Sequence, residues 1–238
     1  MKIPRRKLLK YTIATAGTYS IIEAVDRQNK LRAEQKNSNI AVEKESYIMT
    51  PDQVISELMR GNQRFIRQIT TNRDRDILRL REVSEAQSPF ACILTCADSR
   101  VPPEIIFDRG LGDLFVVRDA GNIATPGEIG SLEYGALVLG AKAIIVMGHQ
   151  DCGAVRAAME LGATSGFIGS IVNEILPAIQ ISRQQEGDLV YNSIISNIIL
   201  QKQKIQTSPV ISKLIQENKI KVVGAYYNLQ NGKVDILE

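Results

Sequence analysis

The sequence contains no tryptophan, a single histidine and three cysteines in 238 residues. Each scarcity excludes something. Without tryptophan, large aromatic anchors are scarce. Three cysteines cannot form the disulfide framework of a domain this size, and the absence of any Cys-x-x-Cys argues against a thiol redox protein. With one histidine, any metal or proton-transfer site has His149 as its only imidazole. No internal repeat or low-complexity segment is present. A basic surplus is also missing: Lys2, Arg5, Arg6, Lys7 and Lys10 carry five positive charges, and removing them from the formal +3 leaves −2 for the remainder. A slightly acidic body gives no electrostatic reason to expect a nucleic-acid partner.

Hydrophobic residues make up 44% and charged residues 23%, an ordinary globular balance. The length suits one α/β domain and is short for two. The first 25 residues resemble a twin-arginine export signal: Pro4-Arg5-Arg6-Lys7-Leu8-Leu9-Lys10 precedes a weakly apolar stretch from Tyr11 to Val25. That stretch is shorter than the roughly 20 residues a membrane span needs, and it contains Glu23. An uncleaved signal would act as an N-terminal membrane tether. Residues 26–49 are polar and charged and read as a linker or arm, which leaves 50–238 as the folded domain.

Within that domain Thr50-Pro51-Asp52-Gln53 carries a cap, a proline at the first helical position and a capping-box glutamine, so a helix is predicted over 51–68. A second helix is predicted near 74–86. The period then changes. Phe90 to Thr95, Leu114 to Val117 and Ala143 to Met147 are short apolar runs of the kind that form strands buried on both faces. Helices are predicted at 131–139, 152–161, 168–184, 190–205 and 209–218. Two last runs, Lys221 to Tyr227 and Val234 to Leu237, flank the hairpin signal Asn231-Gly232. Strands alternating with helices imply an α/β fold, a mostly parallel central sheet flanked by helices, with a C-terminal hairpin.

Ligands of such sheets gather at the carboxyl ends of the strands. Cys96 and His149 both fall there. Thiolate and imidazole are preferred zinc ligands, and His149 and Cys152 stand three apart across a strand-to-helix turn, a separation that lets both face one ion. Cys152 would also sit near a helix N-terminus, where the dipole favours thiolate. With Cys96 as third ligand, a fourth position stays open, the mark of a catalytic zinc. Taken singly, a cysteine at a strand end is ordinarily a small buried hydrophobe, H-x-x-C is ordinarily chance, and Asp98-x-Arg100 is ordinarily a local ion pair. Cys92, four residues before Cys96 on the same strand face, reads as a core thiol.

C-x-D-x-R followed about fifty residues later by G-H-x-x-C-G resembles the signature of the β-class carbonic anhydrases. The likeness extends to Gly61-Asn62 with Arg64-Phe65, Gln87-Ser88-Pro89, Phe115-Val116-Val117-Arg118 with Ala120-Gly121-Asn122, Ser131-Leu132-Glu133-Tyr134 and Val222-Val223-Gly224-Ala225. It covers about residues 51–238.

The resemblance implies one zinc ion held by Cys96, His149 and Cys152, activating water for attack on carbon dioxide. Asp98 would accept a hydrogen bond from that nucleophile, and Arg100 would keep Asp98 ionised and oriented. In some family members the aspartate instead closes onto the metal, which makes Asp98 a possible fourth ligand. Gln87 would donate to a substrate oxygen across a dimer interface, and Phe115, Ala120, Tyr134 and Gly153 would line the pocket, plain core packing being an equal reading for Phe115 and Tyr134. Family likeness also implies a homodimer or dimer of dimers, and the lack of tryptophan excludes one tryptophan-dependent bicarbonate regulatory site. With the export signal, the enzyme would work in the periplasm or an equivalent compartment, carried there by the twin-arginine machinery. The alternatives are a same-fold hydrolase of a related heteroallene such as carbon disulfide, and a non-catalytic zinc-stabilised binding protein. With its only histidine on the metal, the chain would pass its proton to external buffer.

Overall fold

A computed structural model describes residues 49–160 and 166–237. The export signal expected over 1–25 and nearly all of the polar arm expected over 26–49 lie outside the described residues. The first helix, α1, runs Pro51–Ile66. Its capping box is formed: Gln53 N–H donates to Thr50 Oγ1 at 3.3 Å, and Thr50 N–H to Gln53 Oε1 at 2.7 Å. Helix α2 covers only Ile77–Glu82. None of its residues is buried, so no packing extends it to the predicted span.

Strand β1 (Ala91–Cys96) leads through a short, unanticipated helix α3 (Pro103–Ile106) to β2 (Leu114–Asp119). Helix α4 occupies Pro126–Glu133 and continues as a π-helical turn over Tyr134–Val138. The predicted start at residue 131 is therefore too late. Thr125 N–H donates to Glu128 Oε2 at 3.0 Å, and Pro126 at the first position needs no donor, so the helix opens five residues earlier. Strand β3 (Ala143–His149), helices α5 (Gly153–Glu160), α6 (Ile168–Ser182), α7 (Leu189–Gln206) and α8 (Pro209–Gln216), and strands β4 (Lys221–Tyr227) and β5 (Val234–Leu237) complete the chain.

The five strands lie in the order β2-β1-β3-β4-β5, parallel except for the antiparallel β4–β5 pair. Alternating side chains feed two cores. Cys92, Leu94, Cys96, Ile144 and Val146 pack with residues of α4 to α8 on one face. Ala91, Ile93, Ala143, Ile145 and Met147 pack with Val54 and Leu58 of α1 and Ile106 of α3 on the other. Helix α7 presses hardest on the sheet. A Cβ at Gly148 would lie 2.7 Å from Ile198 Cγ1, and one at Gly224 would lie 2.9 Å from Ile198 Cγ2, so only glycine lets the helix approach this closely. No helix among the described residues is long and apolar enough to cross a membrane.

Candidate metal centre

Parallel neighbours β1 and β3 end side by side, which places Cys96 and His149 at one edge of the sheet. After His149 the chain turns through Asp151, whose φ of 53° reverses it, and Cys152 returns to the same spot just before α5. The three ligand atoms lie within 4.8 Å of one another, all buried, and the two sulfurs are 4.0 Å apart. A tetrahedral ion with thiolate bonds of about 2.3 Å holds its sulfurs roughly 3.8 Å apart, so little movement is needed.

His149 settles the fit. Its Nδ1 stands 2.9 Å from the Gln150 carbonyl, a contact that holds only with the proton on Nδ1. Nε2 is then an unprotonated lone pair, and it is buried without a hydrogen-bond partner. Such an atom is costly unless something coordinates it. The donor set of two sulfurs and one imidazole nitrogen therefore fits a thiophilic divalent ion.

Around the ligands the charges are arranged to match. Cys96 is drawn well below an ordinary thiol: Cys152 hydrogen-bonds it, burial opposes, and the N–H groups of Gly121 and Asp98 add to the lowering. Cys152, the partner that keeps the shared proton, is pushed up. The N–H groups of Ala154 and Val155 at the start of α5 work against that rise. Asp98 Oδ1 accepts from Arg100 Nε at 2.9 Å and Oδ2 from Nη2 at 2.7 Å, and this bidentate pair holds the acid well below the usual carboxylate range. Asp98 Oδ2 lies 3.8 Å from His149 Nε2, beside the ligands but outside their group. Arg118 fixes the intervening loop by donating to the carbonyls of Cys96 and Asp98, at 3.1 and 2.7 Å.

The other sequence-derived candidates divide. Ala120 follows Asp119, which pairs with Cys96, and Gly153 follows Cys152 directly. A Cβ on Gly153 would meet nothing within 4 Å, so the space over this residue is open. Phe115 and Tyr134 lie near each other, their ring centroids 6.2 Å apart. They are not brought to the ligands. Phe115 pairs with Cys92, four residues before Cys96 and hence about 13 Å away along β1. Gln87 is exposed on the loop that enters β1 at its amino end, the end opposite Cys96. Cys92 is fully buried, and burial pushes its thiol up to about 12, as befits a core residue.

Sequence reasoning missed Asp119. Burial pushes this carboxyl up to about 7, helped by Glu128 and Cys96 and opposed by the Ile123 N–H that it accepts. Its other oxygen, Asn122 Nδ2 and Gln150 Oε1 are buried without partners at the same edge of the sheet. The signal was available, because Asp119 occupies the last position of an apolar strand whose neighbour ends in Cys96.

Comparison with known proteins agrees with this site. Residues 91–234 match the family profile described as carbonic anhydrase. A carbonic anhydrase of Mycolicibacterium smegmatis is 35% identical over 186 residues, 75% of this chain and 89% of that protein. Carbonic anhydrase 2 of Mycobacterium tuberculosis is 32% identical over 184 residues, 74% and 87% of the two chains. Among solved structures, the β-carbonic anhydrase CcaA superposes with a TM-score of 0.62 at 28% identity, covering 77% of this chain and 87% of that one. The chain belongs to the β-class carbonic anhydrase family.

Proposed function

We propose that the chain catalyses the reversible hydration of carbon dioxide to bicarbonate and a proton, with one zinc ion held by Cys96, His149 and Cys152. The observation that carries this reading is a bidentate Asp98–Arg100 pair set 3.8 Å from an unpartnered His149 Nε2. When bound, zinc supplies Lewis acidity, making a water molecule acidic near neutral pH and so providing the nucleophile for carbon dioxide. The chain's own residues do the rest. Asp98 accepts a hydrogen bond from that nucleophile and so aims it, and Arg100 keeps Asp98 ionised and immobile. The open space over Gly153 leaves room for a small uncharged substrate, which Ala120 would help to line.

Phe115, Tyr134 and Gln87 complete the pocket only if a second copy supplies them, and this supports a homodimer or dimer of dimers. The π-helical turn supports it too: its Tyr134, Leu137 and Val138 are 47%, 59% and 61% exposed. With His149 on the metal, saturated turnover is expected to rise with the concentration of external buffer. The segment around Arg5-Arg6 supports export, folded and metal-loaded, to the periplasm or an equivalent compartment. An unchanged location after Arg5→Lys/Arg6→Lys, read by cell fractionation, would count against that.

Carbon dioxide hydration by zinc-quantified protein is the test. Hydrolysis of carbon disulfide with no hydration would favour the heteroallene reading. Zinc binding with neither activity would favour a binding protein, although a structural zinc has no use for a positioned Asp98–Arg100 pair.

A further inference from the structure

Helix α7 carries two fully buried amides, Asn197 and Gln201, one turn apart in an otherwise isoleucine-rich stretch. Buried amides persist where their hydrogen bonds are all made, and these lead to the metal centre. Gln201 Nε2 donates to Asn197 Oδ1 at 3.0 Å and to the Glu174 carbonyl at 3.2 Å, while its Oε1 accepts from Ala124 N–H at 2.9 Å. That pattern leaves Asn197 one orientation, with Nδ2 donating to the Gly121 carbonyl at 2.8 Å. The N–H of the same Gly121 donates to Cys96 Sγ at 3.3 Å.

The Gly121 backbone has little room to shift. Gly121 has φ of 84°, and a Cβ there would lie 2.7 Å from Ile175 Cδ1. Asp119 Oδ1 closes the loop by accepting from Ile123 N–H at 2.9 Å. Close packing of Ile198 on Gly148 and Gly224 fixes the depth at which α7 presents Asn197.

We propose that Asn197 and Gln201 are positioning residues of the metal centre, clamping the Gly121–Asn122 peptide by its carbonyl so that the adjoining Gly121 N–H stays on the Cys96 sulfur. A donor on a ligating thiolate stabilises its charge in a buried setting and fixes where the sulfur points, and loss of such outer contacts typically weakens metal sites by roughly 10–100-fold. The inference rests on the metal reading of Cys96, His149 and Cys152.

The decisive variant is Asn197→Asp, which keeps an acceptor for Gln201 but turns an oxygen toward the Gly121 carbonyl. Gln201→Glu, which keeps the acceptor for Ala124 N–H and removes the donor that orients Asn197, serves if the first fails to fold. Ile205→Ala, two turns along the same helix and outside these hydrogen bonds, is the control for lost stability. Zinc release from the holoenzyme to a chromogenic chelator is expected to be roughly tenfold faster in the amide variants than in an Ile205→Ala protein of equal thermal stability. In cobalt-substituted protein the sulfur-to-cobalt charge-transfer band is expected to move to longer wavelength only in the amide variants, because a thiolate without its donor gives up an electron more easily. Either readout staying at the control's value overturns the proposal. Wild-type protein that binds no zinc would remove the metal reading and this inference with it, whereas indifferent variants of a zinc-loaded protein remove the inference alone.

Discussion

The carboxyl edge of the sheet and the surface beside β2 are built on opposite terms. At the edge, the polar groups are buried, and side chains from β1, β3 and the turn before α5 converge on one point. Beside β2, apolar side chains that would ordinarily fill a core stand in the open on the turn Tyr134–Val138. The first region is preorganised within one chain and has little freedom to change. The second is unfinished. If the proposed pocket is drawn from both, it is complete only when copies meet, and metal binding and substrate binding should be separable by mutation.

Cys152→Ala should separate them most sharply. Removing one thiolate is expected to reduce zinc from about one per chain to a trace by elemental analysis, with hydration falling to the buffer blank. Full zinc occupancy in that protein would remove Cys152 from the ligand set. Arg100→Ala should keep the metal and lose orientation of Asp98, with kcat/KM for hydration lower by about 10–100-fold. Metal loss without a change in rate per zinc would contradict the role given to Arg100.

Val138→Asp acts on the other region. A charge in the middle of the apolar face is expected to shift the light-scattering mass toward the monomer, with zinc content unchanged and activity reduced roughly tenfold. Unchanged mass would place the interface elsewhere.

A smaller effect belongs to neither region. Burial opposes ionisation of Asp108, but hydrogen bonds from Arg64 at 2.6 Å and from Thr71 and Asn72 outweigh it and bring the acid down to about 2. A lowered carboxylate stabilises the fold fully above its ordinary value of 3.8, and loses that contribution as pH falls through about 2. Asp108→Asn should therefore cost on the order of 1 kcal/mol near neutral pH by urea unfolding, and the gap should close as pH is lowered toward about 2. Zinc content near neutral pH should not change.

Much of the fold could be read from residues in order. The apolar runs ending in Cys96 and at Met147 announce buried parallel strands, and Thr50-Pro51-x-Gln53 announces α1, because each signal is local. Helix α4 shows how a local signal is overlooked: Thr125-Pro126-x-Glu128 caps its start, yet the apolar pattern only becomes helical after residue 131. The meeting of Cys96 and His149 was legible because strand ends are where parallel sheets collect chemistry. Asn197 and Gln201 were not, since an amide on a helix reads as a solvated face until α7 is seen pressed against Gly148 and Gly224. A pocket shared between copies is suggested by family likeness alone. No spacing in one chain reveals that Phe115 lies about 13 Å along β1 from Cys96.

The most direct test is stopped-flow hydration of carbon dioxide by full-length wild-type protein, set against zinc content across preparations of graded metal loading. Hydration is expected in proportion to bound zinc, extrapolating to the buffer blank at zero metal. Fully zinc-loaded, assembled protein that hydrates carbon dioxide no faster than buffer would contradict the catalytic reading of Cys96, His149, Cys152 and Asp98.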